Sequence, residues 1–351
     1  MRRLCVLLAA IGMSASIGLA EPALSEVEAQ AASGPYRILR TARVGGTGGF
    51  DYVYADAVGR RLYIPRSGQG ARVSAFNLDT LEPVGEIPNT NARGAAVDPR
   101  SGHGFSSSKP VAMWDTTTLA LIKTIDVQGN PDGILFDPFN QRVWVFSHSA
   151  PNATIIEAKD GSIVGTLDLG GAPEQAVTDG NGHLYVDIED QDNVAVVDTK
   201  ALQVSAHHDI SAKARVPAGL AFDVKNKILF VGCRNTPTMV IMTTEGKILT
   251  TLPIGTGVDG AAFNPATRET FSSQGDGTLT VIKEKSPTSF EVAQTVQTKV
   301  SGKTLTLDSK TNQIYVIAAE YAPPPTPPPA SGRAGRGAMI PDSFSILVIG
   351  K

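Results

Sequence analysis

ILFDPFNQRVWV, residues 134–145, joins an apolar run, an aspartate, a short polar turn and a second apolar run. Each run is too short for a helix and is rich in the β-branched and aromatic residues that pack well on a pleated surface. The same phrase recurs as VYADAVGRRLYI (53–64), AAVDPRSGHGF (95–105), AVTDGNGHLYV (176–186), LAFDVKNKILFV (220–231), AAFNPATRETF (261–271) and LTLDSKTNQIYV (305–316). Its anchors are Asp56, Asp98, Asp137, Asp179, Asp223, Asn264 and Asp308, spaced 39 to 44 residues apart. A β-repeat of that period, present seven times, predicts an all-β, seven-bladed propeller with four-stranded blades.

Each repeat supplies its strands in order. The first ends at the anchor and the second follows the turn. A third alternates, as in NVAVVD (193–198), and a fourth follows a hairpin at pairs such as Asp79-Thr80, Asp160-Gly161 or Glu245-Gly246. Such pairs are expected to take the positive or bridging φ values of tight hairpins. The seventh repeat has only three strands before the chain stops at Lys351, whereas YRILRTARV (36–44) is an orphan strand ahead of the first repeat. The orphan is predicted to complete the last blade and close the ring, giving one domain over 36–351.

Outside that domain, Arg2 and Arg3 precede an apolar stretch ending at a small-x-small site near Ala20, the pattern of a cleaved signal peptide (1–20), with 21–35 as a flexible leader. The expected location is periplasmic or secreted. No other apolar run is long enough for a membrane span. With 31 basic and 34 acidic residues there is no basic footprint for nucleic acid, and a monomer is expected. Beyond the signal only Cys233 remains, so no internal disulfide is expected, and its apolar context reads as a buried hydrophobe. A Pro/Gly-rich insertion (321–342) separates strands two and three of the last blade, on the face where the channel opens.

GNPDGILFDPFNQRVWVF (129–146), GGAPEQAVTDGNGHLYVDIED (170–190), NVAVVDTKALQV (193–204) and GVDGAAFNPATRETFSSQGDGTLTVI (257–282) resemble the YVTN, or YncE-like, β-propeller repeats of exported bacterial proteins. The resemblance implies the fold and export. It does not select an activity, since related propellers include binding proteins, lactonases and lyases, so function rests on the site.

The residue five before each anchor is predicted to lie at the channel mouth: Asp51, Arg93, Asp132, Glu174, Ala218, Asp259 and Lys303. Six of these seven are charged. A second ring, at the ends of the second strands, comprises Arg66, Lys109, His148, Glu189, Arg234, Asp276 and Glu320. The candidate ligand-binding set is Asp51, Arg93, Asp132, Glu174, Asp259, Lys303, Glu189 and Arg234, for a small polar ligand, a glycan or a protein segment. Asp132, Glu174 and Asp259 are the candidate metal ligands. An all-oxygen set without histidine favours Ca2+ or Mg2+. The alternative is a metal-dependent, gluconolactonase-like hydrolase. In that reading the cation polarises a carbonyl, Asp51 or Asp259 activates water, Arg93 or Lys303 stabilises the oxyanion, and His148 is the candidate general base. GGTGGF (45–50) is no phosphate loop, because it leads into a strand and not a helix.

Overall fold

The computed structural model describes residues 34–150, 152–323 and 337–351. Seven four-stranded antiparallel sheets stand in a ring. The first six are consecutive in the chain, over residues 54–88, 95–125, 131–167, 173–209, 215–253 and 258–297. The seventh pairs Leu305–Asp308, Gln313–Ala318 and Ser345–Gly350 with the N-terminal strand Arg37–Arg43. No α-helix occurs among the described residues, and none is long and apolar enough to cross a membrane. The signal segment, nearly all of the leader and the centre of the 321–342 insertion lie outside the described residues.

The anchors explain the phrase that identifies the fold. Asp56 Oδ1 accepts the backbone N–H of Val58 (3.0 Å) and Gly59 (2.8 Å), and Asp98 accepts those of Arg100 and Ser101 through Oδ1 and Oδ2. Asp137, Asp223, Asn264 and Asp308 cap the N–H two residues on. A short side-chain acceptor two residues upstream is what this turn needs, hence Asp or Asn and little else. The buried anchors also join blades: Thr178 donates to Asp137 (3.0 Å), and Arg60 of the first blade pairs with Asp308 of the last at 2.9 Å.

The hairpins between third and fourth strands match the expectation at Gly161 and Gly246, which have positive φ, but not at the Asp-Thr pairs, where positive φ falls instead on Leu81, Leu119 and Leu202. Asn77 or Asp115 caps the loop, and the fifth residue turns left-handed, with its N–H returning to the carbonyl of the first. A leucine in that conformation is strained by about 1–2 kcal/mol. Leu81 and Leu119 offset this by burying their side chains.

Second strands such as Arg61–Arg66 and Ile228–Asn235 are buried along both faces, because neighbouring blades cover each side. Outer strands such as Leu121–Ile125 are mostly exposed. The core therefore lies between blades. Trp144 and Phe146 pack on Leu184, Val186 and Ile188 of the next sheet. Tyr63 meets Trp114 at 5.6 Å between ring centroids, and Tyr185 meets Phe222 at 5.2 Å. Cys233 is buried in the same kind of interface, where burial pushes its thiol well above the usual range.

Ring closure is reinforced beyond the sheet. Tyr36 stacks edge-on against Phe271, exchanges hydrogen bonds with Gln294 and donates its hydroxyl to Glu269 at 2.5 Å. The stem of the 321–342 insertion is also ordered: Ala322 N–H donates to Ala338 O, and Tyr321 and Met339 pair and pack on the core.

Candidate functional site

Because all inner strands run the same way through the ring, their starting ends meet at one mouth. The six charged residues predicted there do meet. Asp51 contacts Arg93 at 3.4 Å and Lys303 at 3.5 Å. Arg93 Nε lies 3.2 Å from Asp132 Oδ1. Lys303 also binds Asp259. The repeat has no charge at Ala218, and Arg234, from the end of the second strand of the same blade, fills that gap. Its guanidinium bridges Asp259, Glu174 (3.4 Å) and Glu189 (2.6 Å), the last carried on the short 3-10 turn Glu189–Gln191. His148 closes the remaining interval, with Nε2 at 3.4 Å from Asp132 Oδ2 and 3.8 Å from Glu174 Oε1. The charges thus form an unbroken circuit.

Tyr52 crosses the channel beneath the circuit, from the first blade to the fourth, and donates its hydroxyl to Glu174 Oε2 at 2.7 Å. Below it lies a cavity of about 300 Å3, lined by Ile134, Phe136, Gln175, Leu305 and Leu307 among others. Gln175 ties the wall together by accepting from Leu220 and Ala261 N–H and donating to Ala261 O. Tyr52 therefore lies between the charged cup and a shaft lined mainly by apolar residues, with backbone and Gln175 supplying polar surface.

The circuit carries five carboxylates (Asp51, Asp132, Glu174, Glu189, Asp259) against three permanent cations (Arg93, Arg234, Lys303). The imbalance sits where water is scarce, and the acids respond. Burial pushes Asp51 up to about 6, with Asp259 and Asp132 adding to the rise. Burial pushes Glu174 up to about 8, and Asp132 contributes again. Asp132 is raised for the same first reason. Burial acts against the charge on Lys303 and Arg234, but the facing carboxylates outweigh it and hold both cations firmly protonated. Asp187, fully buried and with neither oxygen hydrogen-bonded in the protein, is held well above the carboxylate range by burial and then by Glu174. Groups raised in this way favour a proton or a cation as partner.

The cation candidates from the sequence do not all converge. Asp132 and Glu174 come together, and the third member of their group is His148, with all three ligand atoms within 4.8 Å of one another. Asp259 instead lies with Arg234 and Lys303. Of the second ring, His148, Glu189 and Arg234 turn inward and the others do not. Arg66 is buried over the Phe344 ring at 3.8 Å and donates to the carbonyls of Gly45, Thr47 and Gly48, which gives GGTGGF its role. Lys109 reaches Gly129 O, Asp276 caps Thr256 and Thr278, and Glu320 pairs with Arg43 and Lys299. Tyr52 and Asp187 carry no sequence signal of their role, since each reads as an ordinary strand residue. Arg234 does have one, in the uncharged Ala218 of its own blade.

No protein-family model matches this chain, and no curated protein matches it. Among solved structures it is similar to one titled "Crystal structure of RRP9 WD40 repeats". The TM-score is 0.71 at 11% sequence identity, and the match covers 91% of this chain and 99% of that one. At that identity the likeness concerns architecture, and the chain is a seven-bladed β-propeller.

Proposed function

We propose that this chain is an exported binding module of the YVTN type, which holds a small polar ligand in the charged cup at the channel mouth. The observation that carries the reading is the unbroken circuit from Asp51 through Arg93, Asp132, His148, Glu174, Arg234, Asp259 and Lys303 above the Tyr52 floor. Donors and acceptors alternate at short intervals around a concave rim, an arrangement suited to a ligand bearing both hydroxyl and ionic groups. The propeller supplies rigidity, since every rim side chain sits at the end of a strand or on the turn beside one. The signal-like leader and the quoted repeats support export and the family likeness.

The test is a panel of sugars, sugar acids, amino acids and short peptides, screened by ligand-observed NMR against the wild type and an Asp132→Ala/Glu174→Ala double variant. A ligand captured by the wild type and lost by a folded double variant supports the reading. A ligand bound equally by both places the site elsewhere. A hydrolytic reading of the same cup is favoured by one observation, the approach of His148 to two buried carboxylates. Its mark would be lactone turnover that disappears in Asp51→Asn.

A further inference from the structure

Among the described residues, Asp132, His148 and Glu174 are the one group whose potential metal-ligating atoms approach each other this closely. Their spacing is informative. His148 Nε2 stands 3.4 Å from Asp132 Oδ2 and 3.8 Å from Glu174 Oε1, and it makes a hydrogen bond to neither. Both distances exceed the roughly 2.7–3.2 Å of an N–H···O bond. The shorter matches the edge of a tetrahedron around an ion with bonds of about 2.0–2.1 Å, an edge of about 3.3–3.4 Å, and the longer is wider than that edge. Three potential ligand atoms thus lie within 4.8 Å of one another, with the imidazole too far from either carboxylate for a hydrogen bond and the gap between them able to admit an ion.

The other oxygens of the two carboxylates are already engaged. Arg93 Nε holds Asp132 Oδ1 at 3.2 Å, and Tyr52 donates to Glu174 Oε2 at 2.7 Å. Outer partners of this kind fix which oxygen is offered inward. Arg234 also lies 3.4 Å from Glu174 Oε1, but Glu189 and Asp259 hold it more closely, so it keeps partners when Glu174 turns to an ion. Asp132 and Glu174 are buried, whereas His148 is about a third exposed and lies on the solvent side of the group.

We propose that Asp132 Oδ2, His148 Nε2 and Glu174 Oε1 form a three-ligand site for a divalent first-row cation of the zinc type, with its fourth position open to the mouth. The imidazole changes the preference from calcium or magnesium, expected for a carboxylate-only set, to a borderline cation. Three protein ligands and an open position define a site that takes up a further ligand. With Arg93 beside it, that ligand is an anionic or strongly Lewis-basic group. The inference deepens the reading of the mouth as a binding face and assigns the chemistry that anchors the ligand there.

The experiment uses the full mature chain, dialysed against a chelator and titrated with Zn2+ in competition with a chromophoric chelator, with Ca2+ at about 1 mM in parallel. One zinc per chain is expected, undisplaced by calcium. His148→Ala should weaken it by about tenfold or more, as should Asp132→Asn, which keeps the side-chain shape. His183→Ala is the control, because His183 and Asp179 form an exposed imidazole–carboxylate pair at 2.9 Å outside the mouth. A thermal melt establishes that each variant is folded. Absence of stoichiometric zinc, affinity unchanged in both His148→Ala and Asp132→Asn, or loss in His183→Ala instead would overturn the assignment. A zinc-free protein that still captures a ligand from the screen, and loses it in the double variant, would refute the cation site and leave the proposed function standing.

Discussion

Glu284→Gln separates one buried acid from every other titrating group in the molecule. Glu284 is fully buried between the fifth and sixth blades, beside the anchor Asp223. Asn226 Nδ2 donates to both, at 2.7 Å to Glu284 Oε1 and 2.7 Å to Asp223 Oδ2. Burial, followed by the charge of Asp223 and the hydrogen bond to it, pushes Glu284 up to about 7 from 4.5. The folded protein therefore holds this proton more tightly than the unfolded chain does. The resulting stability is fully present below about pH 4.5 and is lost as pH rises through about 7. At about 1.4 kcal/mol per unit the ceiling is about 3 kcal/mol, and screening and relaxation reduce the expected loss to about 1–2 kcal/mol. Glutamine keeps the acceptor for Asn226, can donate to Asp223 and does not ionise. The variant should match the wild type at pH 4 and exceed it by about 1–2 kcal/mol at pH 8, read from urea midpoints at constant slope. Asp51 and Glu174 also titrate in this range, but they act equally in both proteins and cancel in the difference. Parallel stability–pH curves for the two proteins would refute the shared-proton account.

Two further outcomes follow from the packing. Gly104→Ala should destabilise by about 3 kcal/mol or more, or prevent folding, because a Cβ there would overlap the fully buried Trp114 indole; thermal denaturation reads it. Arg234→Met should cost about 2–3 kcal/mol in a denaturant titration, since it removes the guanidinium shared by Glu174, Glu189 and Asp259 and leaves Lys303, on Asp259, as the one permanent cation of the circuit still paired with any of the three. Arg234→Lys should recover less than half, because one ammonium cannot serve three carboxylates at once.

The repeat made the architecture legible because the anchor turn must be Asp or Asn in nearly every blade, and counting those anchors counts the blades. It also located the mouth, since a fixed offset from the anchor is a fixed height on the inner strand. Asp51, Arg93, Asp132, Glu174, Asp259 and Lys303 meet for that reason. Partner choice was not legible, because it depends on how far a side chain reaches and not on where its Cα lies. Arg234 is long enough to enter the space beside Ala218 and places its guanidinium between Asp259 and Glu174, while His148 approaches Asp132 and Glu174. The reach of Tyr52 across the channel is hidden for the same reason. The hairpin misassignment has a different origin: the Asp-Thr pairs resemble two-residue turns, but the loop is five residues long, and its left-handed position is occupied by a leucine that the core needs.

Arg37–Arg43 pairs with Ser345–Gly350, so the first described strand and the last share one sheet. Six blades are built from consecutive strands, whereas the seventh needs strands from both ends of the domain. Closing the ring requires that long-range pairing, so loss of Ser345–Gly350 would remove the partner of Arg37–Arg43 as well as a strand. The seam and the rim therefore depend on the same blade, because Lys303, which leads into it, rests between Asp259 and Asp51 and completes the circuit of charges.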